Sequence, residues 1–374
     1  MQTRDRPLPA SPARRRLIGL ALAAPAAVAL GADGAASAGR EDDPIAVLAA
    51  EGDFSGSILV RSRGEVVYAR SFGLASRAFA VANTLRTRHP IASITKTFTA
   101  TLILDLHERG QLDLHRPVVA YLPEFRHEGT GAITAHHLLN HTAGLPNFDA
   151  GNSFERALSE GLPAYQRPMT RAQLLERACA GKPVAAPGTA FDYNNADYIV
   201  LGALIERLHG RPFEAVLASR ILDPLGLADT GLLRQSDVID RLATGYFYRE
   251  DLAAYVNDLP AYPENWYAAG AMYSTVGDLL AFADALFGGR VIGAPALALM
   301  LAPGLDDYGY GLWSYTIKVG QRRARVAKRP GRIMGAQGQL FRMLDDDVTV
   351  VLLSNAARGD LDALVARIGR LYAA

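Results

Sequence analysis

The chain has 374 residues, of which 49% are hydrophobic and 21% charged, and 39 basic and 38 acidic side chains leave a formal net charge of +1. This length and composition can bury a large core, which excludes global disorder, and the charge balance does not indicate a nucleic-acid-binding surface. The single cysteine, Cys179, excludes an internal disulfide framework and a cysteine-based zinc site.

The first 38 residues have the pattern of an export signal. Arginines at 14–16 precede an apolar run at 17–30, which is short for a membrane helix, and Ala36-Ser37-Ala38 has the form of a cleavage site. The consecutive arginines before Leu17-Ile18 favour a twin-arginine-like signal. We therefore expect an exported protein, periplasmic or extracellular, without a stable membrane anchor. An uncleaved anchor is the alternative.

The remaining chain, 39–374, predicts one α+β domain. Apolar periodicity and turn residues predict, in chain order, a helix at 44–51, a hairpin of strands 57–60 and 66–68 around Arg63-Gly64, a helix at 93–109, helices including 171–180 and 196–208, strands at 311–317, 324–328, 339–344 and 348–353, and a helix at 360–371. Strands open and close the chain, so we expect one antiparallel sheet built from both ends. This sheet lobe covers about 45–114 and 286–374, with a helical lobe inserted at about 115–285.

Ser93-Ile94-Thr95-Lys96 is the sharpest chemical signal in the chain. Residues three apart share a helix face, so Lys96 can lie beside the Ser93 hydroxyl. Serine is a poor nucleophile until a base accepts its proton, and a lysine with a lowered pKa can do so. The alternative is an N-cap serine followed by a solvated lysine.

Tyr193-Asn194-Asn195 follows a Pro-Gly loop and forms a second candidate element. A phenol beside a lysine can transfer protons, and an amide can orient both the lysine and a substrate carbonyl. Tyr255-Val256-Asn257 has the same spacing but lacks the preceding loop. A third element, a cation followed two residues later by glycine, would bind a substrate carboxylate. Lys318-Val319-Gly320 and Arg329-Pro330-Gly331 both have this form.

These elements together resemble the serine β-lactamase-related family, which includes class C β-lactamases, D-alanyl-D-alanine carboxypeptidases, D-aminopeptidases and serine esterases. The resemblance covers about 45–370 and implies the β-lactamase/transpeptidase-like fold, an α/β-α sandwich. The matching stretches, in order, are Ser93-x-x-Lys96, residues 138–146 (LLNHTAGLP), Pro187-Gly188 with Tyr193-x-Asn195, residues 269–275 (AGAMYST), residues 308–311 (YGYG) and residues 350–355 (VVLLSN).

The resemblance implies a role for each motif residue. Ser93 would be the acylated nucleophile, with Lys96 and Tyr193 sharing the proton transfers. Asn195 would hold the substrate's acyl group. Substrate binding would also involve Arg329, Gly331 and Arg332, and the backbone N–H groups of Ser93 and Arg332 would form an oxyanion hole.

The third motif departs from the family's usual Lys-Thr-Gly or His-x-Gly. The arginine of Arg329-Pro330-Gly331 keeps a cation but cannot donate a proton at ordinary pH, and the proline cannot donate a ladder hydrogen bond. Bidentate binding by Arg329 would preserve carboxylate recognition, whereas a change of specificity would favour neutral acyl esters or another amide.

The sequence thus predicts an exported serine hydrolase that acts through an acyl-enzyme on a small-molecule or peptide ester or amide, as an esterase, D-amino-acid peptidase, carboxypeptidase or β-lactamase. The alternative is a weakly catalytic, penicillin-binding-like sensor of cell-wall fragments or β-lactams. We expect no metal and no organic cofactor. His137 and His141 have metal-ligand spacing, but we interpret both as structural, and we interpret Cys179 as a buried spectator. The sequence does not indicate an oligomeric state.

Overall fold

Strands from both ends of the chain form one antiparallel sheet in the computed structural model, which describes residues 43–125, 129–150 and 154–373. The strands in these ranges are β1 (Ser55–Ser62), β2 (Glu65–Phe72), β3 (Leu74–Ser76), β4 (Val81–Ala82), β5 (His89–Pro90), β6 (Gly231–Leu232), β7 (Tyr246–Arg249), β8 (Ala254–Asn257), β9 (Met272–Ser274), β10 (Trp313–Val319), β11 (Arg322–Ile333), β12 (Ala336–Met343) and β13 (Val348–Ala356). The α-helices are α1 (Pro44–Glu51), α2 (Thr95–Glu108), α3 (Ala135–Leu139), α4 (Phe154–Glu160), α5 (Arg171–Ala178), α6 (Asn195–His209), α7 (Phe213–Leu217), α8 (Asp223–Leu225), α9 (Tyr267–Gly270), α10 (Val276–Phe287), α11 (Ala294–Leu301) and α12 (Leu361–Tyr372).

The main sheet has the strand order β10-β11-β12-β13-β1-β2, with every neighbouring pair antiparallel. The first strand of the chain therefore pairs with the last, and Leu59 of β1 lies opposite Val351 of β13. Every residue of β13 is buried, because the strand has a neighbour on each side and helices over each face. The predicted α+β fold with a sheet from both chain ends is confirmed.

Side-chain alternation along β13 divides the core into two layers. Val350 and Leu352 pack with the apolar faces of α1 and α12, represented by Ile45 and Ile368. Residues 351 and 353 instead join the larger core that includes α2 and α10. Successive side chains of a strand point to opposite faces, and burying one aliphatic side chain contributes roughly 1.5–3 kcal/mol. Helices consequently cover the sheet on both sides, as an α/β-α sandwich requires.

Helix α2 runs through the centre of the larger core. All residues from Thr95 to Leu106 are buried, and Phe98 stacks on Phe282 of α10 with ring centroids 3.7 Å apart. A single 3-10 turn, Ala92–Ile94, precedes α2 and contacts β11 of the sheet. The predicted helix from residue 93 therefore begins as a 3-10 turn, which presents its first side chains at the edge of the sheet rather than on the α-helix itself.

Strand β11 is longer than predicted. The expected strand at 324–328 extends from Arg322 to Ile333 and includes Pro330. This is possible because β10 begins at Trp313, opposite Lys328, so Pro330 pairs only with Gln339 of β12. Proline is tolerated where one side of a strand has no ladder partner. The last five residues of β11 thus leave an edge facing the 3-10 turn.

The predicted export signal at 1–38 lies outside the described residues. Among the residues that are described, no helix combines the length and the apolar character needed to cross a membrane. The predicted lobe boundaries stay a prediction, although α10, within the predicted helical lobe, packs on β1 and β13.

Candidate active site

Ser93 lies in the middle of the 3-10 turn, where the backbone is tightly constrained. The preceding residue, Ala92, has a φ of 48°, a left-handed conformation that costs a non-glycine residue on the order of 1–3 kcal/mol. Gly331 of β11 packs against the same turn, and a Cβ added to it would lie 2.2 Å from the carbonyl oxygen of Ile91. Only glycine permits this approach between strand and turn.

The Lys96 ammonium is completely buried and uses three acceptors. Its Nζ donates to Ser93 Oγ at 3.1 Å, to Asn195 Oδ1 at 2.7 Å and to the carbonyl oxygen of Ala269 at 2.8 Å. Burial lowers the pKa of Lys96 to about 8; the Arg329 cation also lowers it, whereas Tyr193 opposes the shift. Since an ammonium has three donors, this arrangement fits the protonated lysine.

Tyr193 contacts the same serine hydroxyl. Its Oη lies 2.7 Å from Ser93 Oγ, and its ring stacks on Trp313 at 6.0 Å. Burial by itself raises the pKa of a phenol, but the cations of Arg329 and Lys96 outweigh burial and lower the pKa of Tyr193 to about 8. A phenolate at this position is consequently accessible close to neutral pH.

Asn195, the first residue of α6, connects Lys96 to a carboxylate. Its Nδ2 donates to Asp149 Oδ2 at 2.7 Å, while its Oδ1 accepts from Lys96. Asp149 also accepts from Tyr165 Oη, at 2.8 Å and 2.6 Å to its two oxygens. An ammonium on one side and a carboxylate on the other determine which way the amide points. No spacing in the sequence singled out Asp149 or Tyr165.

Arg329 points into the site but binds protein atoms. Its Nε donates to the Ser93 carbonyl oxygen at 2.7 Å, its Nη1 to Tyr308 Oη at 2.7 Å, and its Nη2 to Tyr193 Oη. The residue is 1% exposed. The rings of Tyr193, Tyr308 and Trp313 have centroids 5.2–5.8 Å from the guanidinium carbon. Tyr308 falls in the 308–311 stretch used for the resemblance, but the sequence did not indicate its contact with Arg329.

The residues of the third motif lie on two different faces of β11, because successive side chains of a strand point in opposite directions. Arg329 and Gly331 face the 3-10 turn, so the side chain of Arg332 belongs to the opposite face of β11. There it lines, with Pro330 and Arg358, a cavity of about 340 Å³. The alternative motif at Lys318 pairs with Arg323 at the distant end of the β10–β11 hairpin, about 20 Å along the strand from Arg329. Tyr255 of the second tyrosine motif donates instead to Asp53.

A buried histidine–aspartate pair lies beside Tyr193. His141 Nδ1 lies 2.8 Å from Asp197 Oδ2, and the His141 ring is 4.5 Å from the ring of Tyr193. Burial, together with the Lys96 and Arg329 cations, lowers the pKa of His141 well below its usual value, and burial raises that of Asp197. Both shifts favour the neutral forms of the two side chains. The thiol of Cys179 is buried, as expected.

Four of the predicted side chains thus meet around the predicted nucleophile Ser93: Lys96, Tyr193, Asn195 and Arg329. Comparison with known proteins gives relatives of several activities. The chain is 29% identical to putative penicillin-binding protein PbpX of Bacillus subtilis over 70% of its own length and 62% of that protein. It is 35% identical to esterase EstB of Burkholderia gladioli over 47% of its length and 46% of the esterase. The matched regions therefore span about half to two thirds of these relatives.

A solved structure also matches most of the chain. The D-stereospecific amidohydrolase from Streptomyces has 27% identity and a TM-score of 0.73, with 86% of this chain and 95% of that one covered. The family model described as Beta-lactamase matches residues 45–374. The resemblance identified from the motifs is confirmed, and this chain belongs to the Beta-lactamase family.

Proposed function

We propose that this protein is a serine hydrolase that cleaves an ester or amide through an acyl-enzyme on Ser93. The observation that carries the proposal is the position of Ser93 Oγ, which lies 3.1 Å from Lys96 Nζ and 2.7 Å from Tyr193 Oη. A serine hydroxyl needs such a neighbour to take its proton during attack. Both candidate partners have lowered pKa values, which suits proton transfer near neutral pH.

In the proposed cycle, Tyr193 accepts the first proton. Lys96 already donates to three acceptors, so it is protonated and does not act as the first base. Its positive charge instead stabilises the Tyr193 phenolate. Ser93 Oγ bonds to the substrate carbonyl carbon as its proton moves to Tyr193. The bond to the leaving oxygen or nitrogen then breaks, and Tyr193 returns the proton to that atom. Water then attacks the acyl carbonyl carbon as its proton moves to Tyr193. The bond to Ser93 Oγ breaks, Tyr193 returns the proton to Ser93 Oγ, and the acid is released.

The backbone around Ser93 supports stabilisation of the developing oxyanion. By the family resemblance, the N–H groups of Ser93 and Arg332 would donate to that oxygen, and Asn195 would hold the acyl group. Close packing of Gly331 on the turn at Ile91 supports this arrangement, because it keeps β11 beside the nucleophile. Preorganised donors of this kind contribute ~10²–10³ in kcat.

Esterase and D-stereospecific amidohydrolase activities, carried in the names of two relatives, define the substrates to test first. We propose that the substrate is an ester or amide of a small acyl group. We also propose that the protein is exported from the cytoplasm, on the basis of the signal pattern at 1–38. Neither proposal requires a metal or an organic cofactor.

The test is hydrolysis of a chromogenic short-chain acyl ester by the purified protein and by Ser93→Ala, followed by mass measurement of the intact protein after mixing with ester. Turnover that disappears in Ser93→Ala, with a transient acyl adduct on the unmodified protein, supports the proposal. Equal turnover in both proteins refutes it. A stable adduct with almost no turnover would instead identify a sensor of the penicillin-binding type.

A further inference from the structure

We infer that Arg329 is a positioning residue for Tyr193 and Ser93, not a receptor for a substrate carboxylate, and that the site consequently takes neutral acyl groups. The inference rests on the proposed function and specifies its substrate class. It differs from the role predicted from the sequence, in which the cation of the third motif binds a substrate carboxylate.

The contacts of the guanidinium carry the argument. Each of its three nitrogens donates to a protein oxygen: the Ser93 carbonyl, the Tyr308 hydroxyl and the Tyr193 hydroxyl. Bidentate recognition of a carboxylate needs two parallel N–H groups on one open edge. Here both terminal nitrogens are directed at tyrosine hydroxyls, and the residue is 1% exposed. These bonds use three of the five N–H groups, and because the side chain is buried, a substrate carboxylate could reach the other two only if one of the tyrosines moved.

The same contacts allow Arg329 to position Tyr193 and Ser93 and to lower the pKa of Tyr193. Its Nη2 bond places a permanent positive charge beside the Tyr193 oxygen, and its Nε bond holds the backbone carbonyl of the nucleophile. An opposite charge within about 4–6 Å lowers the pKa of an acid by ~1–3 units. Arginine remains protonated throughout the working pH range, so this support does not vary with pH.

The second tyrosine does not compete for this charge. Burial raises the pKa of Tyr308 well above its ordinary value, so Tyr308 remains a phenol and accepts from Arg329 Nη1 as a neutral group. Tyr193 differs because Lys96 also lies over its ring, at 4.8 Å from the centroid. The titratable groups around Tyr193 are Lys96 from α2, His141 after α3, Asp197 and Tyr198 from α6, Tyr308 before β10, and Arg329 from β11.

The experiment compares two chromogenic esters with acyl chains of equal length, the pentanoate and the glutarate, of which only the glutarate carries a carboxylate. We would measure kcat, KM and the pH profile of kcat/KM for the unmodified protein, Arg329→Gln and Arg329→Lys. Arg325→Gln is the matched control, since Arg325 lies on the same strand but is exposed and pairs with Asp345.

We expect the unmodified protein to prefer the pentanoate ester. Arg329→Gln should lower kcat for both esters alike, by about 10²-fold, and shift the acid limb of the profile upward by about one pH unit or more. Arg329→Lys should restore part of the shift, because it keeps the charge. A selective rise in KM for the glutarate ester in Arg329→Gln, with kcat and the pH profile for pentanoate unchanged, would overturn the inference.

A second readout does not depend on turnover. Tyrosinate absorption is followed in a pH titration, and subtraction of the Tyr193→Phe titration isolates Tyr193. We expect Arg329→Gln to move this transition to higher pH, and an unchanged transition would overturn the inference. If the unmodified protein and Ser93→Ala are equally inactive on both esters, the ester part of the proposed function fails, while the titration still decides the role of Arg329.

Discussion

Replacing Gly331 with alanine tests the contact between the sheet and the nucleophile's turn. The added Cβ would lie 2.2 Å from the Ile91 carbonyl oxygen. A comfortable carbon–oxygen contact needs about 3.3 Å, so strand and turn must separate by about 1 Å. A displacement of ~1 Å from reactive geometry costs ~10²-fold in rate. We therefore expect kcat/KM to fall about 100-fold, equivalent to about 2.7 kcal/mol of transition-state stabilisation.

The assay is hydrolysis of the pentanoate ester, with thermal unfolding measured in parallel. Gly338→Ala is the matched control, because Gly338 is the cross-strand partner of Gly331 on β12. Its Cβ would meet the side-chain ends Leu353 Cδ2 at 3.0 Å and Ile94 Cδ1 at 3.1 Å, which can rotate away. We expect the control to keep most of its activity.

Two results would refute this reasoning. Gly331→Ala with kcat/KM within about threefold of the unmodified protein would mean that the turn does not depend on this contact. An equal loss of activity in Gly338→Ala would mean that the damage comes from general disturbance of β11 and β12 rather than from the Ile91 carbonyl.

Three further predictions concern charge. Lys96→Met should lower kcat/KM for the ester by ~10²–10⁴-fold, because Ser93 and Tyr193 lose the neighbouring ammonium; retained activity would contradict its proposed role. In the unmodified protein kcat/KM should rise with pH and level off above an apparent pKa of about 8, since the neighbouring Lys96 and Tyr193 must together lose one proton before Tyr193 can accept another. A flat profile across this range would contradict that assignment. Burial lowers the pKa of His89 to about 3. This folded value lies below that of the unfolded chain, about 6.5, so the unfolded chain binds the proton more readily. The contribution of His89 to the unfolding free energy is therefore complete above pH ~6.5, and it is lost at ~1.4 kcal/mol per pH unit as the pH falls below ~6.5. His89→Leu should make the unfolding free energy less dependent on acid, as measured by denaturant titration at several pH values, whereas parallel curves for the two proteins would contradict this.

The candidate site illustrates how far residue spacing can be interpreted. Ser93-x-x-Lys96 and Tyr193-x-Asn195 are local patterns, and each predicted which groups are available for acyl transfer. Arg329 was also identified as the cation nearest the third-motif position. Its partner could not be identified from the sequence, because the guanidinium binds the Ser93 carbonyl, 236 positions away, and two tyrosines of separate loops.

Asp149 is a residue of the candidate site that the sequence did not identify at all. It lies 46 positions before Asn195 and is one of many acidic residues in the chain, so no spacing distinguishes it. Its significance depends on the packing that brings it to the Asn195 amide and to Tyr165. The extension of β11 through Pro330 is similar, since it depends on where β10 begins.

The sequence by itself determined the family and the sheet built from both chain ends, and it predicted the serine, lysine, tyrosine and amide that meet in the candidate site. These follow from periodicity and short motifs, which are properties of neighbouring residues. Only the tertiary structure decided that Arg329 rather than Lys318 lies in the site, and which acceptors its guanidinium uses. It also decided that Tyr193 rather than Tyr255 lies beside two positive charges. Those outcomes depend on burial and on hydrogen bonds between distant segments, and both are set when the sheet and the helices pack together.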